Sequence, residues 1–406
     1  MARIAIYIAR HLCTAPRPQK EAEALAAAGH DVSVHGVSYN PTYSARDMQL
    51  AAGRPWRWEP VADFAAHTSA HRLAWFACRL RHRAAKFWFN YTGLIAADVW
   101  SNATRVLANH AARQAADLTI VHAEGGLWFG RQMQRAGARV GVDFEDWFSR
   151  DLTPEQQRNR PVAALAALEH DLLQNCRYRM STSHALANAL GKAYGTPAPS
   201  VIYNSFPAGL PPPGPIARPA VSLHWFSLVM GPDRGLESLA TALPLLIGDW
   251  QLNLRGDTPS GYRQRWLDLL PAALHPRVHF HPTVPTGELP AHLAEHDIGL
   301  ALDVSAISSR NLTITNKFFH YLHAGLAVAA SDTAGHREGL ALAPAAGALF
   351  PAGDATALAG ILNKWITDRT ALYAARRAAR TAFECHFAHE RQQHIYAELA
   401  AQALGG

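Results

Sequence analysis

Two α/β domains of the doubly wound, Rossmann-like kind are the architecture this chain predicts, and three observations predict it. Short apolar runs of strand character alternate with amphipathic helical stretches along most of its length, the pattern of parallel sheets covered by helices on both faces. The alternation breaks once, at residues 207–219, PAGLPPPGPIARP, where six prolines in thirteen residues exclude both a helix and a central strand. A length of 406 residues also exceeds what one compact core usually takes. The expectation is one α/β/α domain on each side of a stiff linker, with a ligand cleft between them.

Composition narrows the partners. Apolar residues make up 49% and charged residues 17%, which is globular composition. A net charge of +6 and a pI near 9.2 suit an anionic ligand or surface, without choosing between a sugar nucleotide, a nucleic acid and a lipid head group. No nucleic-acid recognition module accompanies the charge, so no nucleic-acid partner is expected. Four cysteines, at 13, 78, 176 and 385, fall in no C-x-x-C or Cys/His spacing, which implies neither a disulfide framework nor a zinc site and points to a reducing compartment. The first residues run straight into a strand pattern and no apolar run reaches about 18 residues, so a cytoplasmic protein without a membrane span is expected.

In chain order, residues 3–9 (RIAIYIA) read as a buried strand, 18–28 as a helix stopped by Gly29, and 32–37 as a second strand. The turn after the first strand, ARHLCTAPRP, contains no G-x-G-x-x-G, so the first half is not expected to hold a nucleotide. It does carry His11 and Arg17. Residues 71–91 set Leu73, Phe76, Leu80 and Phe87 on one helical face beside a stripe of Arg72, Arg79, Arg83 and Lys86. Such a basic amphipathic helix suits peripheral contact with an anionic membrane, although a packed helix with a solvated flank gives the same pattern.

Strands at 118–122 and 138–143 end in polar clusters that bring His122, Glu124, Asp143, Glu145 and Asp146 to one edge of a parallel sheet, where doubly wound folds bind ligands. The alternative for any one of them is helix capping or a loop ion pair. A helix at 169–178, a strand end at 180–183 and the segment 200–204 (SVIYN) close the first half.

The second half opens with a strand pattern at 221–228, a turn at Gly231-Pro232, and Arg234-Gly235 ahead of a helix at 236–246. An arginine there can grip phosphate bidentately while the helix N-terminus adds its dipole. Strands at 251–255, 278–281 and 297–302 follow, with a helix at 288–294 between the last two; the third strand ends at Asp303. The segment 311–333, NLTITNKFFHYLHAGLAVAASDT, combines a polar loop (Thr313 and Thr315 as candidate caps), a helix at 317–324 stopped by Gly325, and a buried strand at 326–330. Lysine in the first turn of a helix, beside unpaired backbone N–H groups, makes an anion site. Residues 371–403 are a long helical stretch with a break near 383–388.

The stretch TNKFFHYLHAGLAVAASDT resembles the donor-site helix of GT-B glycosyltransferases of the family 4 type, usually NK-apolar-apolar-E-Y-L-A-A-G-x-P-V. Arg234-Gly235 is similar to that family's basic-glycine motif, and the order helix, STS, helix, VIYN is similar to the end of its first domain. The resemblance implies a GT-B fold: an acceptor domain 1–206, the linker 207–219, a donor domain 220–383, and a C-terminal helix 384–406 crossing back to the first domain. It implies a glycosyltransferase that takes a nucleoside-diphosphate sugar as donor substrate, without cofactor or metal, and acts on an unidentified acceptor. Donor contacts are expected from Ser227, Gly231, Arg234, Gly235, Asp303, Asn311, Leu312, Thr313, Lys317 and His320, and acceptor contacts from His11, Arg17, His122, Glu124, Asp143 and Glu145. Arg234 and Lys317 would neutralise the leaving diphosphate, a task for which no metal-binding D-x-D is present.

Two departures stand out. His320 occupies the position of the ribose-binding glutamate, and Leu312 that of a sugar-binding one. Retention of configuration is what the resemblance implies, with His122 positioning the acceptor. An inverting enzyme with His11 as base, a catalytically silent nucleotide-binding protein and a sugar-nucleotide epimerase remain open beside it.

Overall fold

The computed structural model describes residues 1–65, 68–211, 213–214, 218–232, 234–285, 287–303 and 307–405. The chain forms two compact units, one of residues 1–182, 186–202 and 392–406, the other of 183–185 and 203–391. Part of the proline-rich segment, residues 212 and 215–217, lies outside the described residues; the rest of 207–219 has neither helix nor strand.

The first unit is built on a parallel sheet of β1 (Arg3–Tyr7), β2 (Asp31–Ser38), β3 (Arg57–Asp63), β4 (Leu118–Val121), β5 (Val140–Phe144), β6 (Tyr178–Ser181) and β7 (Ser200–Val201), ordered β3-β2-β1-β4-β5-β6-β7. The second sheet holds β8 (Val221–Val229), β9 (Trp250–Asp257), β10 (Val278–His281), β11 (Ile298–Ala301), β12 (Ala327–Ser331) and β13 (Gly347–Phe350), ordered β10-β9-β8-β11-β12-β13. Both orders reverse direction between the first and fourth strand of their unit. In a doubly wound sheet that reversal opens a crevice at the carboxyl ends of those two strands, and ligands bind there. In the first unit this selects the loops after β1 and β4; in the second, those after β8 and β11.

Apolar strands explain the cores. β4 and β11 are buried at every position, as strands covered on both faces must be. Trp225, Leu252, Leu300 and Ala329 meet in the second core; Ile6, Val34, Ile120 and Met180 meet in the first. The helix Gln393–Leu404 also belongs to the first unit, where Tyr396 and Leu399 enter the core. A π-turn at Phe383–Phe387 separates it from the helix Arg369–Ala382, at the break expected near 383–388.

Some boundaries differ from expectation. Tyr178, read as the end of a helix, opens β6, and the helix before it is Val162–Asn175. Beyond Ala242 the predicted helix tightens into a 3₁₀ turn, Leu243–Leu245, because Pro244 cannot donate the next α-helical bond.

Candidate functional site

At the crevice of the second sheet, β8 ends in an irregular stretch. Its register against β9 shifts between Phe226 and Val229, so Ser227 leaves the regular ladder. Gly231 follows in the turn, and Gly235 takes the left-handed φ of +74° as N-cap of the helix Leu236–Ala242. A Cβ on Gly235 would lie 2.8 Å from that of Leu302, so only glycine lets this turn sit against the end of β11.

Facing it is the start of the helix Asn316–Ala324. Thr315 is its N-cap by position, yet its hydroxyl makes no cap bond and instead donates to His336 Nε2 at 3.0 Å. His336 in turn donates from Nδ1 to the Ser331 carbonyl at 2.8 Å, and burial keeps it neutral by lowering its pKa. Among the described residues no side chain hydrogen-bonds at the N-cap of this helix, which leaves its positive end for an anion. Lys317 in the first turn holds its ammonium 5.3 Å from the ring centroid of the fully buried Trp225. Burial, opposed by Asp303 and reinforced by Arg234 and Arg310, brings the Lys317 pKa down to about 8. Arg234, Arg310 and Asp303 thus all act electrostatically on Lys317 at this helix N-terminus, and an arriving diphosphate would relieve the repulsion among the three cations.

Other expected donor residues are placed differently. Asn311 turns its carbonyl to the Ala334 amide at 3.4 Å. Leu312 and Thr313 are half-buried at the exit of the short helix Ser308–Leu312. The Asp303 amide donates to Ser331 Oγ at 2.9 Å. His320 lies on the buried side of its helix, stacked 4.0 Å from the Phe206 ring and edge-on to Phe226 at 5.4 Å. Arg310 was absent from the expected set, because ISSRNLT reads as an undifferentiated polar loop, and a break at 313–315 separates its helix from that of Lys317, so no periodicity links the two.

The polar residues of the first unit depart further from expectation. His11 is completely buried: Nδ1 donates to Asp47 at 2.7 Å, and Nε2 accepts from the backbone amides of Tyr39 and Asn40 at 3.0 and 3.1 Å. Expected as acceptor contact or base, it has no nitrogen to offer and instead ties three segments together. Arg17 and Asp143, expected as acceptor contacts, form a bidentate pair with each other inside the core, at 2% and 0% exposure. His122 bridges Glu21 at 2.8 Å and Asp143 at 3.4 Å; burial opposes its charge, but the two carboxylates prevail and raise its pKa. Glu124 is ion-paired with Arg160, and Glu145 is half-buried at the end of β5.

Two further groups near that strand end are tuned toward neutrality. Burial, with Arg17, lowers the pKa of Lys20 to about 7, and burial, with Asp151 and Glu145, raises that of Asp146 to about 7. Lys20 was missed because its helix reads as an ordinary surface one; its position one turn beyond Arg17 was the only hint. Groups so tuned mark candidate sites for binding or proton transfer.

Residues 224–368, which include Arg234, Asp303, Arg310, Lys317 and His320, match the family model of glycosyl transferases group 1. The fold is that of GT-B glycosyltransferases. Sucrose-phosphate synthase from Thermosynechococcus elongatus superposes with a TM-score of 0.69 at 15% identity, covering 100% of both chains. HepE of Anabaena, in complex with UDP and glucose, gives 0.69 at 17% identity over 99% of this chain and 100% of that one. WaaG, a glycosyltransferase involved in lipopolysaccharide biosynthesis, gives 0.61 at 14% identity, covering 99% and 100%. No curated protein matches the chain in sequence.

Proposed function

We propose that this protein transfers a sugar from a nucleoside-diphosphate donor to an acceptor hydroxyl, without a metal at the diphosphate and with retention of configuration, as family 4 glycosyltransferases do. One observation carries the reading: Arg234, Arg310 and Lys317 gather at an uncapped helix N-terminus, at the crevice of the sheet and inside the segment with the glycosyltransferase match. Cations fixed in advance around a developing diphosphate charge lower the barrier to its departure, which is the task a metal performs elsewhere. HepE is complexed with UDP and with UDP-glucose, so uridine diphosphate sugars lead the list of donors.

The geometry favours retention over inversion. An inverting enzyme needs a base on the acceptor side, and the expected one, His11, has both nitrogens engaged. His122 is engaged with Glu21 and Asp143, which raise its pKa against the effect of burial and suit it to positioning rather than to the role of base. In the retaining reading the leaving phosphate takes the acceptor proton.

The helix Ser69–Thr92 supports a peripheral location on an anionic membrane face of the cytoplasm. Leu73 is 69% exposed, Phe76 63%, Phe87 62% and Tyr91 82%, so this face is not packed. At 3.6 residues per turn it lies opposite Cys78, the buried residue of the helix. No acidic residue occurs between Asp63 and Asp98, which leaves the basic stripe uncompensated in sequence. Among the described residues no helix is long and apolar enough to cross a membrane.

The test is incubation with a panel of nucleoside-diphosphate sugars and candidate acceptors, read by mass spectrometry and by NMR of the anomeric centre. The expected product keeps the donor's α-configuration, forms without added Mg²⁺ or Mn²⁺, and is lost in Arg234→Ala and Lys317→Ala. An inverted linkage would refute retention, and full turnover in both variants would refute the diphosphate assignment.

A further inference from the structure

Away from the crevice loops of the first sheet, one of its faces carries a lateral row of related side chains. In the parallel register Tyr7 of β1 stands beside His35 of β2, and His35 beside Glu59 of β3. Residues in register share a face. His110, from the helix Thr104–Ala111, packs on that face with its ring 4.8 Å from that of His35 and its Nδ1 2.9 Å from the Tyr7 hydroxyl. His35 is 1% exposed; its Nε2 shares a hydrogen bond with Ser33 Oγ at 2.8 Å. Its Nδ1 is buried, has no hydrogen-bond partner, and points to the Glu59 carboxylate at 3.4 Å. One ligand atom from each of His35, Glu59 and His110 lies within 4.8 Å of the others. A buried, unpartnered imidazole nitrogen is costly unless something fills its lone pair.

We propose that His35, Glu59 and His110 bind a divalent transition-metal ion, zinc being the one this donor set suits best. Two imidazoles and a carboxylate are borderline ligands of the kind zinc takes, with water in the fourth tetrahedral position. The surroundings match that assignment. Ser33 holds the far nitrogen of His35, while Tyr7 and Gln114 meet the two nitrogens of His110, so whichever nitrogen ligates, the other keeps a partner that fixes the ring.

Ligands of a tetrahedral zinc stand about 3.4 Å apart, so the group must close somewhat around the ion. Glu59, 46% exposed, is the member able to swing in. Arg57 opposes the site from 3.7 Å, although its shorter contact, 2.6 Å, is to Asp31. The ion would pin the edge strand β3 and the helix Thr104–Ala111 to β2, a stabilising role inside the first unit that takes no part in sugar transfer. The three ligands come from separate elements with no short spacing, which is why the sequence shows no metal motif.

The full-length protein, stripped with a chelator and desalted, is titrated with Zn²⁺ and separately with Co²⁺. Expected results are one ion per chain by elemental analysis, the intense visible absorption of four-coordinate Co²⁺, and a rise in melting temperature with Zn²⁺. Glu59→Gln, at a half-exposed position that should leave the fold intact, and His110→Ala should each weaken binding about 100-fold or more, while His394→Ala on an exposed helix face should bind as the wild type does. Uptake below one ion per chain in the wild type, or undiminished uptake by folded Glu59→Gln or His110→Ala, would overturn the assignment.

Discussion

Lys317 is the residue whose ionisation the account uses most directly. Its pKa of about 8 leaves it charged at neutral pH and titrates it just above. Affinity for a nucleoside diphosphate should therefore fall as pH rises through about 8, by on the order of 10-fold for loss of one charge-assisted bond. Arginine does not titrate in this range. Lys317→Arg should flatten the fall, and calorimetric titration from pH 7 to 9.5 reads both; a profile equally steep in Lys317→Arg would assign the titration elsewhere. Deeper in the first unit, Arg17→Met takes the bidentate partner from the buried Asp143 and leaves it only the longer contact with His122, which should cost about 3–5 kcal/mol in denaturant unfolding. A loss below about 1 kcal/mol would mean that the pair is solvated. These residues also mark the limit of what the sequence reveals. Lysine at a helix start is a local pattern, so the place of Lys317 in the first turn of its helix was legible; whether strand-end polar residues face a ligand or one another depends on partners far along the chain, as with Arg17 and Asp143, and there the sequence left both readings open.

Elements were more legible than residue roles, because strand and helix periodicity is local while side-chain partnership is not. β10, Val278–His281, coincides with its predicted span, and the helix Asn316–Ala324 ends at Gly325, whose φ of +70° needs a glycine. β3 went unread because Arg57, Glu59 and Pro60 contradict strand composition; at the sheet edge these residues are tolerated, since one side of the strand carries no ladder. Packing between elements makes a sharp prediction at Gly299 of β11. A Cβ there would lie 2.1 Å from the Tyr321 ring, so Gly299→Ala should destabilise the second unit by about 1–3 kcal/mol; an unchanged melting temperature would contradict this packing. For the helix Ser69–Thr92, co-sedimentation with vesicles containing anionic lipid should be lost in an Arg79→Glu, Arg83→Glu, Lys86→Glu variant and on raising salt. Failure of the wild type to pellet with such vesicles would dismiss the membrane reading.

The molecule as a whole joins two doubly wound units whose strand orders place their ligand crevices by topology alone. That feature followed from the alternation of elements and the proline-rich break, whereas the strand order itself did not, since it depends on which strands pair. Three buried histidines give the second unit a common acid response. Burial lowers the pKa of His323 to about 4, of His296 to about 3 and of His224 well below its ordinary value. In each case the unfolded chain takes up the proton first, so stability is present above pH 6.5 and is lost as pH falls toward the folded-state values, by up to about 1.4 kcal/mol per pH unit for each group. Unfolding free energies that stay flat between pH 6.5 and 4.5 would show that these rings are solvated. The central claim, that the second unit binds a nucleoside diphosphate through Arg234 and Lys317, is tested most directly by calorimetric titration of the protein with nucleoside diphosphates, UDP first, in buffer without divalent cations. The account predicts one site per chain and at least about 100-fold weaker binding in a folded Arg234→Ala, Lys317→Ala double variant, from two charge-assisted contacts; equal affinity in the two proteins would contradict it.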